Sequence, residues 1–441
     1  KGEPPLRLSY FDEEGNAWTY NKPTDSYYLH YFSRKQPDLN WENPEVRQEI
    51  FDMMRFWFDK GIDGFRMDSI SLIAKDPSFP LIDSKKYPDI FSFYAKEPRL
   101  HLYLHEMNRQ VLSKYDCMSV GEGSAVMVDD VAKFVDPARE ELNMLYHFDA
   151  ARIRNTTLPD NPESGIDYSL IALKKMFTEW DKAVDKGWPS IYLGNHDQPR
   201  MVSRFGSDKD EFRALSAKML ITFLLTMRGT PYWFAGDEIG MRNIRFDHIE
   251  DYNDIDTINR YKKAKAEGKD PQAVLDEQKE TGRDNARTPF QWDRSPEAGF
   301  TAGTPWLKVN PDYTWINVAD EEKDPTSILN YFKKVVSFRK ENPSLIYGSY
   351  HLLDAENPQS YTFLRKTGAD TYLIMLNFSP KAAISTPGID MSNAHVLLDN
   401  YGDRSHMAPQ KDITLRPFEA IVFQLNHPVY ESFIDSLDLL E

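Results

Sequence analysis

Apolar side chains recur at helical spacing over residues 44–59, where Val46, Ile50, Met53, Met54 and Trp57 mark a stripe. Asn43 is placed to cap this helix, Pro44 suits its first position, and Gly61 ends it. The run 64–70 then predicts a strand. The alternation repeats. A helix near 97–114 precedes a strand at 118–120, and another strand is expected at 142–148. Helices near 168–185 and 211–227 precede strands at 190–193 and 231–235. Strands alternating with longer helices predict an α/β fold with a parallel, helix-covered sheet. Residues 240–310 are mostly polar around a helix near 255–267, and a further helix is expected at 324–341. After Gly348 the pattern shifts to short strands, at 361–365, 371–377, 396–398 and 420–425, separated by turn residues. That texture predicts a small antiparallel β domain. Residues 1–43 show no long periodic segment and read as an irregular, loop-rich piece with one or two short strands, for example at 27–32, amid Trp18, Tyr20, Tyr31 and Trp41.

Composition narrows the function. The 441 residues carry 53 basic and 69 acidic side chains, a net charge of −16. Nucleic-acid binding needs basic groups to displace counterions, and a polybasic membrane-surface protein needs the same sign of charge. Both are disfavoured, and a neutral substrate is not. A single cysteine, Cys117, rules out an internal disulfide framework and a cysteine-rich zinc site. No apolar run reaches membrane-spanning length. Phosphate-cradling glycine motifs are absent. Aromatic residues make up 13% of the chain, a surplus that serves either a large core or a sugar-binding cleft.

Three successive predicted strands end in carboxylates: Asp68 after Gly-Phe-Arg-Met, Glu122 after Val-Gly, and Asp197 after Gly-Asn-His. In parallel α/β proteins active sites collect at that edge of the sheet. One such acid is often only a helix cap; three in a row, with Arg66 and His196 beside them, are harder to explain so. Arg66 and Asp68 are two apart on one strand and point the same way. A cation there favours the ionised carboxylate that a nucleophile must be. A second carboxylic acid held protonated can serve a leaving group, and this division of labour is that of glycoside hydrolysis. A buried structural ion pair is the other reading of the same pair.

Gln-Pro-Asp-Leu-Asn (36–40) resembles the marker segment of the oligo-1,6-glucosidase branch of the α-amylase superfamily, glycoside hydrolase family 13. Gly-Phe-Arg-Met-Asp (64–68), Val-Gly-Glu (120–122) and Asn-His-Asp-Gln-Pro-Arg (195–200) resemble that family's next three motifs, in order. The stretches 236–241, 282–292 and 415–420 also match the branch. The resemblance implies Asp68 as nucleophile, Glu122 as general acid/base, and Asp197 as the holder of the sugar's 2- and 3-hydroxyls. It implies Arg66 and His196 lining the same glucose subsite, with Arg283 closing it through a salt bridge. The fold implied is a (β/α)8 TIM barrel with a C-terminal antiparallel β-sandwich domain.

The family's first motif is not found, and five of eight barrel strands fall after residue 43. The expectation is that N-terminal strands are missing from this chain, which as a stand-alone piece should then be unstable. On this reading residues 1–43 are the C-terminal part of an inserted loop-rich domain, 44–347 the barrel from about strand 4 onward, and 348–441 the β domain. The chemistry needs no cofactor and no metal is assigned; a structural calcium belongs, if anywhere, to the N-terminal part. Serine at position 69 fits neither residue type linked to α-1,6 or α-1,4 preference in this branch. Sucrose isomerases share most motifs, but their acidic isomerisation segment is replaced here by Arg152-Ile153-Arg154-Asn155-Thr156, and Gln198 stands where they show Asn. The expected activity is a retaining, exo-acting α-glucosidase acting on short α-glucosides. A sucrose isomerase or transglucosidase is the alternative, and a non-catalytic transporter-associated relative is the remote one. The expected partner is a small oligosaccharide, with no nucleic acid or membrane. A monomer or weak homodimer is expected, in a bacterial cytoplasm, with a periplasmic or secreted location as the alternative.

Overall fold

The computed structural model describes residues 4–5, 7, 9–10, 16–81, 93–95, 97–368, 370–404 and 411–425. The chain divides into two compact units that alternate along the sequence. The first comprises Lys1–Phe148, Lys182–Ser190 and Ile258–Pro271; the second comprises Asp149–Asp181, Ile191–Thr257 and Gln272–Glu441.

In the first unit, β1 (Trp18–Asn21) and β2 (Ser26–Leu29) form an antiparallel hairpin with Trp18 opposite Leu29. Its apolar side packs Ala17, Leu29 and Tyr31 with Leu72 and Tyr94. Lys75 and Asp38 form an ion pair that ties segment 36–40 to the chain following Asp68. Helix α1 (Pro44–Asp59) starts as expected: the Asn43 side chain accepts the Glu45 N–H at 3.0 Å. The face it buries is only partly the one the spacing suggested: Met54 is on both, and Val46 and Ile50 are half-buried. Phe51, Met54 and Phe58 are buried, whereas Met53 and Trp57 remain 46% and 47% exposed. This helix is apolar on two adjacent stripes, and aromatic packing selects one of them. Phe58 stacks on Tyr115 at 4.5 Å and meets the edge of Phe65 at 5.0 Å.

Strands β3 (Gly64–Met67), β4 (Met118–Glu122) and β5 (Met144–Tyr146) form a parallel sheet in that order, with α2 (Arg99–Gln110) between the first two. Four successive residues of β4 are buried, as a strand covered on both faces requires. Gly64 is needed for the close pairing: a Cβ there would lie 2.0 Å from the Met118 carbonyl oxygen.

In the second unit, α5 (Asp210–Thr226) follows α3 (Asp149–Thr156) and α4 (Leu170–Ala183). It is apolar nearly all round, with Met219, Leu220, Ile221 and Phe223 wholly buried, the mark of a helix inside a core. β6 (Ser190–Ile191) pairs with β7 (Thr230–Pro231); α6 (Ile255–Ala266) follows, most of it within the Ile258–Pro271 stretch of the first unit, and then come α7 (Pro271–Thr281) and α8 (Ile328–Glu341).

Strands β8 (Ser349–Leu353), β9 (Ser360–Thr367), β10 (Asp370–Asn377), β12 (Ala394–Asp399) and β14 (Ala420–Leu425) make a five-stranded antiparallel sheet ordered β12-β14-β10-β9-β8. β11 (Ala383–Ser385) and β13 (Ile413–Leu415) form a second, two-stranded sheet. Leu364, Leu373, Met375, Leu415 and Phe423 fill the core against them. This is the β domain the sequence predicts. Lys174 on α4 reaches its edge, where the buried ammonium donates to the carbonyls of Asp354 (3.0 Å), Asn357 (2.8 Å) and Ser360 (3.2 Å). Among the described residues, no helix is long and apolar enough to cross a membrane.

Candidate active site

Two clusters gather the candidate residues, one in each unit. The first forms at the carboxyl ends of β3 and β4. Register pairs Arg66 with Val120 and Met67 with Gly121, so Asp68 and Glu122 fall at the same level of the sheet. Arg66 bridges them, with Nη1 2.5 Å from Asp68 Oδ1 and Nη2 3.1 Å from Glu122 Oε1. The strand stops at Met67 rather than running to residue 70, because Ser69 turns into the left-handed region (φ 42°, ψ 33°). That turn aims the Ser69 N–H at Glu122 Oε2, 2.8 Å away, with the Ser69 hydroxyl at 3.4 Å.

The two acids sit in opposite surroundings. The Asp68 side chain is 73% exposed and that of Glu122 only 9%. Burial pushes the Glu122 carboxyl above the usual range. The Ser69 N–H and the Arg66 charge pull it down, and the Asp68 charge and hydrogen bond push it up again; the balance is a raised value. An exposed carboxylate beside a cation and a neighbouring buried acid with a raised pKa are the kind of pair a retaining glycosidase uses.

The second cluster surrounds Asp197. His196 Nε2 lies 3.2 Å from Asp197 Oδ2, while Arg283 Nη1 and Arg287 Nη2 lie 3.3 Å and 2.7 Å from Oδ1. Burial would raise this carboxyl; the His196 hydrogen bond and the charges of His196, Arg283 and Arg287 outweigh it and hold it at about 2. Asp197 is therefore a permanent anion across the physiological range. The loop carrying it is tied down at both ends. Asn195 Oδ1 accepts the Asp197 N–H at 2.8 Å, and Arg287 Nε donates to the His196 carbonyl at 2.8 Å. Arg200, buried, donates to the carbonyls of Ala235 (2.7 Å) and Ala286 (3.1 Å). The motifs at 236–241 and 282–292 thus adjoin the segments that anchor Asp197.

Each of the six site residues expected from the sequence lies in one of these clusters: Arg66, Asp68 and Glu122 in the first, His196, Asp197 and Arg283 in the second. Two participants were missed. Arg287 stands four residues after Arg283 within the motif already noted, and that spacing was its signal. Asp254 pairs with both arginines; just before α6, it reads in sequence as an ordinary helix cap. Segment 152–156 forms the end of α3, where Arg154 pairs with Asp167 at 2.5 Å. Phe205 is core, only 2% exposed. Among the described residues, no group of three or more His, Cys, Asp or Glu side chains is arranged to hold a metal ion.

Comparison with known proteins agrees with this chemistry. Residues 1–348 match the alpha amylase catalytic domain. The chain is 48% identical to the oligo-1,6-glucosidase of Parageobacillus thermoglucosidasius over 424 residues, covering 94% of this chain and 74% of that protein. It is 44% identical to the oligo-1,6-glucosidase of Bacillus cereus, covering 93% and 74%. The crystal structure of isomaltulose synthase from Klebsiella sp. LX3 superimposes with a TM-score of 0.89 at 37% identity, covering 97% of this chain and 76% of that one. The chain belongs to the alpha-amylase family of glycoside hydrolases and has its TIM-barrel fold, with an antiparallel β domain at the C-terminal end.

Proposed function

We propose that the protein is a retaining, exo-acting α-glucosidase that releases glucose from the non-reducing end of short α-glucosides. The observation that carries this reading is the Arg66-bridged pair of unlike carboxylates, Asp68 exposed and Glu122 buried and pushed above the usual carboxylate range by that burial. Asp68 attacks the anomeric carbon while Glu122 protonates the departing oxygen. Glu122, now a base, then takes a proton from water, which releases glucose with its configuration kept. Asp197 is assigned the sugar's 2- and 3-hydroxyls and, as a permanent anion, the stabilisation of positive charge developing on the ring. Arg66, His196 and Arg283 are assigned to binding. Two carboxylates supply nucleophile and proton, so the reaction calls for no cofactor. The relatives at 44–48% identity bear the name oligo-1,6-glucosidase, which supports α-1,6-linked substrates such as isomaltose. A monomer or weak homodimer in a bacterial cytoplasm suits an acidic chain working on a small neutral sugar.

The likeness to isomaltulose synthase keeps glucosyl transfer as the second reading. Proton NMR of the protein incubated separately with isomaltose, maltose and sucrose separates the two. The proposed activity gives α-glucose first, mutarotating later, with isomaltose the preferred substrate. Isomaltulose or trehalulose from sucrose with little free glucose would favour transfer, and β-glucose as first product would overturn the retaining mechanism.

A further inference from the structure

Asp254 has no part in the chemistry above, yet its side chain is the most enclosed of the second cluster. It is 2% exposed, against 27% for Asp197, 20% for Arg283 and 30% for Arg287. Its Oδ1 meets Arg283 Nη2 and lies 3.6 Å from Arg287 Nη1. The opposite terminal nitrogens of the same guanidinia, Arg283 Nη1 and Arg287 Nη2, face Asp197 Oδ1. Each arginine is thus stretched between two carboxylates, one nitrogen on each. Asp254 is itself immobilised. Its Oδ2 accepts the Thr257 N–H at 3.2 Å and hydroxyl at 3.1 Å, and its backbone N–H and that of Asn253 donate to Asp284 Oδ2 at 2.8 Å and 2.7 Å.

We propose that Asp254 is a positioning residue for Asp197, acting through Arg283 and Arg287, and that it sets how firmly the glucose unit is held. The inference rests on the proposed glucosidase reading. Two cations facing two anions balance in charge. Without Asp254, both guanidinia would turn fully onto Asp197 and occupy the oxygen positions that sugar hydroxyls must use. An arginine fork is directional, so an anchored carboxylate behind it fixes where its other nitrogen points. Asp254 is that anchor, fastened by the start of α6 rather than by solvent-exposed chain.

The test is Asp254→Asn, which keeps the shape and the acceptor for Thr257 but removes the charge. It should lower kcat/KM at least 30-fold, equally for an activated aryl α-glucoside and for isomaltose, because the lost function concerns the glucose unit and not the leaving group. Combined with Arg287→Lys it should cost no more than threefold beyond Arg287→Lys alone, since both act on one path. A crystal structure of Asp254→Asn should show both guanidinia moved onto Asp197. A loss under threefold, losses that multiply in the double variant, or unmoved arginines would overturn the proposal. If Asp254→Asn does not fold, Thr257→Val serves instead: it leaves the charge and removes the hydroxyl bond to Oδ2, keeping only the backbone N–H, and should lower kcat/KM several-fold on both substrates, an unchanged value again overturning the idea. If the unsubstituted protein cleaves no α-glucoside, the glucosidase reading fails, and the arginine orientations in the variant crystal still decide the role of Asp254.

Discussion

Glu122 and Asp68 are chemically alike and placed to behave differently. One is walled in and met by a backbone N–H; the other stands in solvent against Arg66. Because burial raises the Glu122 value, its acid form persists above the ordinary carboxylate range, and kcat/KM should fall as pH rises through that raised value. Glu122→Gln should therefore abolish the alkaline limb of the profile. It should cost about 10³-fold on isomaltose and far less on an aryl α-glucoside whose leaving group needs no proton. Steady-state kinetics across pH with both substrates checks this; equal losses would remove Glu122 from the acid role. The sequence exposed these acids because each follows a recognisable strand. Asp254 escaped because nothing local separates an acid that anchors two distant arginines from one that merely caps a helix, and only the fold brings residues 254, 283 and 287 together.

Elements were legible where local pattern and tertiary demand agreed. Asn43 and Pro44 start α1 as expected, and α4 to α6 fall within two residues of their predicted spans. They were misread where long-range contacts decide. β3 ends early because Ser69 adopts φ 42° to reach Glu122 on the next strand, a partner 53 residues away. The exposed stripe of α1 looked as suitable for burial as the buried one, and aromatic partners on β3 and after α2 chose between them. The Ser69 turn carries a prediction. Left-handed backbone is tolerated by glycine and disfavoured for β-branched residues. Ser69→Val should destabilise the fold by about 1–2 kcal/mol while Ser69→Gly stays close to the parent. Thermal unfolding of the pair checks it; equal stability would mean the turn is not strained.

At the scale of the molecule, the alternating periodicity and the change of texture after Gly348 were enough for an α/β fold with an antiparallel β domain. The two interleaved units were not legible, since each is assembled from three separate stretches of chain whose contacts leave no local mark. Net charge acts at this scale too. At −16 the protein repels anions and is indifferent to neutral sugars. Turnover of isomaltose should change less than twofold between low and high salt. A phosphorylated disaccharide should be the poorer substrate, its rate improving as salt screens the repulsion. Faster cleavage of the phosphorylated sugar at low salt would contradict the expectation.

The central claim is that Asp68 forms a covalent bond to glucose while Glu122 manages the proton. Its most direct measurement is trapping: the protein is treated with a 5-fluoro-α-glucosyl fluoride, which slows release of the glycosyl-enzyme, then digested and mapped by mass spectrometry. The account predicts one added fluoroglucosyl group, on the peptide containing Asp68 and on that residue, and no label in Asp68→Asn. A label on Glu122 or Asp197, or product formed by a protein that never carries a label, would contradict it.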